Sequence, residues 1–465
     1  MAGRYSPLRD YAVIGDGRTV ALVARNGSID WLCLPDLDSP SVFAAILDAE
    51  RGGRFALQPR GPWEAQRRYL PDTNALETTF TTPTGVVRVT DVMTLPGAGL
   101  EPARELARRV EGLAGRARLC WRVEPRFGYG LAPTRLDARG AYPVATSGSD
   151  AVAVCAWDAG PVRCDGAGIG AEFEAREGSR ATIALVGAHA EPLVFPARAQ
   201  TEARVDATVD FWRRWAARLT YAGPWRDAVV RSALALKLLV FAPSGAIAAA
   251  PTTSLPEALG GARNWDYRYS WLRDSSFTLE AMLQLGSHAE ATSFFWWFMH
   301  ATRLSSPRLR VFYRLDGGAR AVERALPLDG YRGSRPVRTG NGAAGQLQLD
   351  TYGELLDAAF VYAQAGYPLG RDTARDLAGV ADFVCAHWRE PDSGIWEVRT
   401  SPPPPHAVQG HVLGGPGSGA TAGRHGPAPG APRRSLEPGG GRHPPVHRRA
   451  LLVGDEAQLR VVRGR

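Results

Sequence analysis

The sequence predicts an α+β protein of more than one domain, with antiparallel β layers first and helical hairpins after them. Three observations carry that reading. The chain has 465 residues, more than one ordinary domain accommodates. Up to about residue 215 apolar residues alternate in short runs. From Gly223 onward they recur three and four apart instead.

The first region contains ALVARNGSIDWLCLP, ALETTFTTPTGVVRVTDVMT and ATIALVGA, punctuated by Gly, Pro, Asp and Asn. That is the pattern of a sandwich of antiparallel strands. A helix over about 203–219 (ARVDATVDFWRRWAARL) ends the region. DAVVRSALALKLLVFA then reads as an apolar helix, SSFTLEAMLQLG leads into AEATSFFWWFMHATRL, and LQLDTYGELLDAAFVYAQAG and RDTARDLAGVADFVCAHWRE follow. Helices in succession suggest hairpins packed in a ring or solenoid. No repeat of fixed period is present. The expected domains are a β-sandwich over 1–215, a helical domain over 216–400 and a tail over 401–465. The tail holds 11 Pro, 13 Gly, 9 Arg and 3 acidic residues, and so carries +6 of the net +8. Its ordinary reading is a basic disordered segment.

Composition narrows the function. With 22% charged and 45% apolar residues the chain is a typical globular protein. Lys237 is the sole lysine, and up to residue 400 the many arginines are interspersed with acidic residues. A nucleic-acid binder concentrates its charge on one element, so no nucleic-acid partner is expected. Cys33, Cys120, Cys155, Cys164 and Cys385 are odd in number and irregularly spaced, which indicates neither a disulfide framework nor a zinc site. MAGRYSPLRDYAVIGDG lacks an apolar signal region, and no apolar run is long enough to span a bilayer. A cytoplasmic location without a membrane partner is expected. The 13 Trp either fill a large core or line a sugar site, because the apolar faces of a pyranose stack on aromatic rings.

Three segments concentrate chemistry. RNWDYRYSWLRDSSFTLEAM (263–282) sets Trp265, Tyr267, Tyr269 and Trp271 beside Asp266, Arg273 and Asp274. Its Ser pair and TLEAM start a helix, which places Arg273 and Asp274 at a helix entrance, where Asp is favoured. A fixed Arg and Asp can hydrogen-bond vicinal hydroxyls while aromatics stack on the ring. A capped helix with a buried Arg–Asp pair reads equally well. PDSGIWEVRT (391–400) puts Glu397 after Trp396. A carboxyl against an aromatic ring is partly desolvated, acquires a raised pKa and can act as a general acid; a lone Glu is more often a surface residue. Glu390 and Asp392 lie close by without apolar flanks. GYRGSRPVRTGNGAAGQLQLDTYGELLDA (330–358) is a Gly-rich, Arg-containing loop before an amphipathic helix. Helix starts of this kind bind anions, yet the spacing fits no phosphate-loop or dinucleotide fingerprint. An active-site loop built from tight turns is the preferred reading.

Together, YAVIGDGRTVALVARNGSIDWLCLPDLDSPSVFAAIL (11–47), NWDYRYSWLRDSSFTLEAM, GYRGSRPVRTGNGAAGQLQLD and SGIWEVR resemble glycoside hydrolase family 15, the family of glucoamylases, bacterial and archaeal trehalases and glucodextranases. The resemblance runs in order from about residue 5 to residue 400. It implies a β-sandwich followed by an (α/α)6 toroid, here incomplete. It implies Glu397 as the general acid and Tyr267, Trp271, Arg273, Asp274 and Trp396 as sugar-site residues. Fungal glucoamylases carry a second Glu after the acid, where this chain has Val398. The implied chemistry is inversion at an α-glucosidic bond, with one carboxylic acid protonating the leaving oxygen and a second carboxylate roughly 6.5–9.5 Å away activating water. It needs no metal or organic cofactor. The expected substrate is an α-glucan or oligosaccharide cut to release glucose, as by a glucoamylase. Alternatives are trehalose, or a non-catalytic carbohydrate-binding remnant.

The family's base lies well beyond its acid, and nothing after Thr400 resembles that region. The tail has the composition of GC-rich DNA read out of frame. HAVQGHVLGGPGSGA (406–420) and PRRSLEPGGGRHP (432–444) can each be encoded so that the frame one nucleotide on reads as a family-like helix. A frame slip near Pro402–Pro405 is therefore expected, and with it an inactive 465-residue product.

Overall fold

The structure is a computed structural model that describes residues 5–96, 104–139, 141–397 and 399, with the backbone of 451–453 and 459–461. Two compact units emerge, one comprising residues up to 298 with 312–344, the other 299–311 with 345 onward. The expected disordered, frame-slipped tail and Val398 fall outside the described residues, apart from one short hairpin noted below.

The first unit begins with antiparallel strands: β1 (Tyr11–Gly15), β2 (Val20–Ala24), β3 (Ser28–Cys33), β4 (Ser41–Phe43), β5 (Phe55–Pro59), β6 (Glu64–Tyr69), β7 (Leu76–Thr82), β8 (Gly85–Thr94), β9 (Glu105–Val123), β10 (Arg135–Arg139), β11 (Tyr142–Ser147), β12 (Asp150–Trp157), β13 (Arg163–Asp165), β14 (Gly168–Arg176) and β15 (Arg180–His189). They form two sheets that share β9, a strand of 19 residues. Its first half pairs with β8 and β15, and its second half with β5 and β14. Ile14, Val23 and Ile29 from one sheet and Phe80, Val89 and Leu106 from the other enter a single apolar cluster. Burying each such side chain is worth about 1.5–3 kcal/mol. The hairpin between β2 and β3 turns at Asn26-Gly27, a dipeptide suited to a tight two-residue turn. Gly27 has φ +80°, and a Cβ there would lie 2.3 Å from the Leu57 carbonyl oxygen.

One fully buried charge in this core is held on several sides. Arg108 donates to Asp91 Oδ1 (2.8 Å) and Oδ2 (3.2 Å), to the Phe55 carbonyl (3.1 Å) and to the Gly27 carbonyl (2.8 Å). A buried ion pair is tolerable only when its remaining hydrogen-bonding capacity is also met.

Helix α1 (Arg198–Ala216) starts five residues before the sequence reading placed it. Pro196 ends the preceding extended segment, and the Gln200 side chain accepts the Ala197 N–H at 2.8 Å, an N-terminal bond that apolar periodicity does not reveal. Glu105 holds α1 to the sheet by accepting from Thr201 (2.6 Å) and Arg204 (2.8 and 3.0 Å). Helices α2 (Arg226–Leu239), α3 (Leu272–Gln284) and α4 (His288–Arg303) follow the predicted apolar stripes. Glu290 in the first turn of α4 accepts from Trp215 of α1 (2.8 Å) and pairs with Lys237 of α2 (3.1 Å), so the sole lysine sits at the junction of three helices.

In the second unit, α5 (Asp350–Gln364) and α6 (Arg371–His387) pack through Tyr352 stacked on Phe383, with ring centres 4.9 Å apart. The Leu309 N–H donates to Tyr352 Oη at 2.9 Å. Of the tail, the backbone of Leu451–Val453 pairs antiparallel with that of Leu459–Val461.

Candidate active site

The aromatic segment is fixed before it reaches α3. Ala249 and Ala250 donate their N–H groups to the carbonyls of Tyr269 and Tyr267, and Ser254 donates to that of Trp265, all at 2.8–2.9 Å. These bonds make residues 265–269 an extended strip. Strand β16 (Ser270–Trp271) then pairs with β17 (Phe312–Tyr313). Trp271 is buried, stacked on Phe312 at 4.3 Å with Tyr267 tilted against it at 5.4 Å. Trp31, Trp212, Trp215 and Trp271 are all fully buried, so for these four the core-filling reading of tryptophan holds.

Trp271 keeps an extended backbone at φ −74°, ψ 130°, and α3 begins at the next residue. Arg273 and Asp274 therefore occupy its first turn, as the sequence indicated. Asp274 is exposed and Arg273 half-buried. A carboxylate here is favoured by the partial positive charge of the unpaired N–H groups. Asp274 opens onto a groove of about 250 Å³ shared with Leu239, Ile247, Ala249, Ser275 and Phe277. Behind it the Ser275 hydroxyl lies 3.0 Å from that of Ser270 and 3.3 Å from the Ile247 carbonyl, fixing the start of the helix.

The residue that organises this segment is one the sequence places beside the aromatics without assigning it a role. Asp266 is fully buried, and Arg268 grips it through two bonds of 2.9 and 2.8 Å. Burial alone weakens the Arg268 charge, but the Asp266 carboxylate beside it more than offsets that and holds the pKa well above the usual value. Arg268 also donates to the Ser39 carbonyl at 2.7 Å, and the Gly340 N–H donates to Asp266 at 3.1 Å. One ion pair thus joins the β3–β4 connection, the aromatic strip and the Gly-rich loop. The available signal was the Asp-x-Arg spacing, which places both side chains on one face of an extended strip.

The Gly-rich loop is a set of tight turns, as expected. Strand β19 (Val337–Thr339) in the loop pairs with β18 (Arg324–Leu326) just before it. Gly340 has φ +73°, and a Cβ there would meet the Val322 carbonyl oxygen at 2.1 Å. Arg338 lies over the Trp265 ring at 4.3 Å, and its guanidinium donates to the carbonyls of Ala262 and Asn264 at 3.0 Å. These arginine bonds go to protein rather than to a free anion.

Glu397 and Trp396 belong to the second unit. After α6 the chain turns at 394–397, with the Glu397 N–H donating to the Gly394 carbonyl at 3.1 Å. Glu397 is half-buried in a left-handed conformation at φ +51°, and Trp396 is 75% exposed. A non-glycine residue there costs on the order of 1 kcal/mol and needs surrounding structure to hold it. That structure is a clamp onto residues 346–349. The Ser393 N–H donates to the Leu347 carbonyl at 2.9 Å, the Leu349 N–H to Asp392 Oδ2 at 2.9 Å, and the Gln346 side chain to the Glu397 carbonyl at 3.4 Å. Asp392, which the sequence offered no reason to bury, is buried; this pushes its carboxyl up, against the Leu349 bond and with the charge of Asp350. Among the described residues no group of three or more His, Cys, Asp or Glu is placed to hold a metal. No helix among them is long and apolar enough to cross a membrane.

A two-sheet β region, a helical region, and an aromatic-Arg-Asp segment with a separately clamped Trp-Glu turn define a class that comparison with known proteins identifies. Residues 223–410 match the family model Glycosyl hydrolases family 15, and residues 2–218 match Trehalase-like, N-terminal. A trehalase of Thermoplasma acidophilum is 37% identical over 387 residues, covering 82% of this chain and 65% of that protein. A trehalase of Mycobacterium tuberculosis is 36% identical over 431 residues, covering 86% and 62%. Trehalase 1 of Sulfolobus acidocaldarius is 31% identical over 410 residues, covering 85% and 67%. The chain belongs to glycoside hydrolase family 15. It spans about two thirds of the length of the relatives it matches.

Proposed function

We propose that this chain represents an inverting α-glucoside hydrolase whose substrate is trehalose. The observation that carries the choice of substrate is the set of matched relatives named trehalase. It moves trehalose ahead of the glucoamylase-type glucan that the motifs alone put first. In this reading Glu397 is the general acid, set by the clamp of Gln346 and Asp392. Arg273 and Asp274 bind sugar hydroxyls, while Tyr267 and Trp396 provide the aromatic surroundings and the buried Trp271, expected from the motif to meet sugar, instead supports Tyr267 from behind. The helical region corresponds to part of an (α/α)6 toroid. The general base is assigned to the region hidden by a slipped frame in residues 401–465, so the 465-residue product itself turns over no substrate.

The test compares the purified chain with a version whose codons for 395–410 have been resequenced and, where a nucleotide is missing or extra, restored. A panel of trehalose, maltose, starch and dextran is offered to both. Trehalose cleavage with β-glucose among the first products, by the restored chain alone, supports the reading. Exclusive cleavage of starch or maltose overturns the substrate. Turnover by the unrestored 465-residue chain overturns the missing base. In the restored enzyme Glu397→Gln lowers kcat about 10²–10⁴-fold, and full activity in that variant removes Glu397 from the mechanism.

A further inference from the structure

A second groove lies in the β region, far along the chain from every residue of the proposed active site. It has a volume of about 440 Å³, within the range of roughly 300–1,000 Å³ typical of small-molecule sites. Its walls come from three separate stretches of backbone: Asp10 from the entry to β1, Arg25 and Asn26 from the β2–β3 turn, and Trp63, Glu64 and Gln66 from the start of β6.

Each wall is anchored. Trp63 is half-buried and meets the buried Phe80 ring edge-on, with centres 5.2 Å apart at 86°. The indole is therefore held in one orientation before any ligand arrives. The Arg25 guanidinium donates to the Ala65 carbonyl at 3.1 and 3.3 Å, tying the turn to β6. The Asn26 side-chain oxygen accepts the Ser28 N–H at 3.0 Å, which leaves the amide NH₂ as a donor. The Asp10 carbonyl accepts from Arg67 at 2.6 Å, so the first wall is fastened to β6 as well.

The chemistry selects the ligand. One fixed aromatic ring stands among two carboxylates, two amides and one guanidinium. An anion would face more negative than positive charge, and a purely apolar ligand would strand the polar groups. A neutral polyol suits it, since each hydroxyl both donates and accepts while the sugar's apolar face lies on the indole. We infer that this groove is an accessory binding site for a neutral α-linked gluco-oligosaccharide, separate from the proposed active site. The α-gluco linkage rests on the functional reading above; the polyol class rests on the groove.

Isothermal titration of the full 465-residue chain tests this with maltotriose, cellotriose and trehalose as probes. Maltotriose binding that weakens about tenfold in Trp63→Ala, the loss of one stacking contact, and severalfold in the exposed-site variant Gln66→Ala supports the site. Asp274→Asn leaves that binding intact. Maltotriose binding that Asp274→Asn abolishes and both groove variants leave unchanged overturns the groove while retaining the active-site reading. Binding of cellotriose instead of maltotriose overturns the proposed linkage. Absence of maltotriose binding in the unaltered chain overturns the groove outright, and trehalose binding lost in Asp274→Asn then keeps the functional reading separate from that failure.

Discussion

In the β region the most exposed large apolar residues, Leu8, Leu113, Leu131 and Val162, show 37–46% of their surface, whereas Trp225, Leu259, Phe277, Leu304 and Trp396, after residue 220, show 58–75%. The two regions have similar apolar composition to work with but different means of covering it. Two sheets sharing one strand bring their apolar faces into a single cluster, so alternation along each strand is enough to hide them. Helical hairpins carry a stripe on each helix, and each stripe needs a further neighbour. Buried charge cuts across that division, because Arg268 and Asp266 after residue 220 are as enclosed as Arg108 and Asp91 in the β region. Arg108 makes four hydrogen bonds inside the β core, two of them to Asp91, while Glu290 and Lys237 sit at a partly open helix junction. The two regions therefore differ in how much apolar surface faces solvent, not in whether their buried ion pairs are closed.

The largest effect should come from breaking a completed network. Arg108→Met leaves Asp91 buried without its partner and is expected to cost about 3–5 kcal/mol, read as a shift in the urea midpoint; a loss below about 1 kcal/mol would mean that solvent reaches the pair. Arg268→Met should cost a similar amount, and it should also release the Gly-rich loop, seen as faster amide exchange at Gly340. Glu290→Gln should cost less, about 1–2 kcal/mol, because the junction is only partly closed. The sign of its pH dependence sharpens the contrast. Burial opposes the Glu290 charge, but Lys237 and Trp215 outweigh it and hold the carboxyl below its ordinary value. That stabilisation is present above the ordinary carboxylate range and is lost as pH falls through the lowered value, so the gap between wild type and Glu290→Gln should narrow on acidification. Asp392, raised by burial, has the opposite sign: wild type should gain on Asp392→Asn as pH falls from neutral toward the ordinary carboxylate value. Parallel pH curves for the two pairs would remove this distinction. The smallest effect is expected for Phe277→Ser, within about 0.5 kcal/mol in stability but with reduced binding of a hydrophobic dye.

These contrasts also explain what the sequence disclosed. Period and punctuation revealed the strand region and the helices from α2 to α6, because each is a local pattern. They placed Arg273 and Asp274 in the first turn of a helix for the same reason. The roles of Asp266, Asp392 and Gln346 stayed hidden, since each acts through backbone groups far along the chain: Gly340 for the first, Leu349 and the Glu397 carbonyl for the others. The start of α1 was misplaced because a single side-chain bond from Gln200 sets it. Family resemblance supplied the roles of Glu397 and the aromatic segment, which local chemistry left open beside ordinary structural readings.

Strand β9 has a consequence for how the protein comes apart. Its 19 residues are ladder partners to one sheet along one half and to the other sheet along the rest. Neither sheet can melt without unpairing the backbone the other relies on. The β region should therefore open as one foldon, with amides at both ends of the strand exchanging at a common rate. Proteases should find no stable half-product there, and recombination between relatives should tolerate crossovers outside this strand far better than within it.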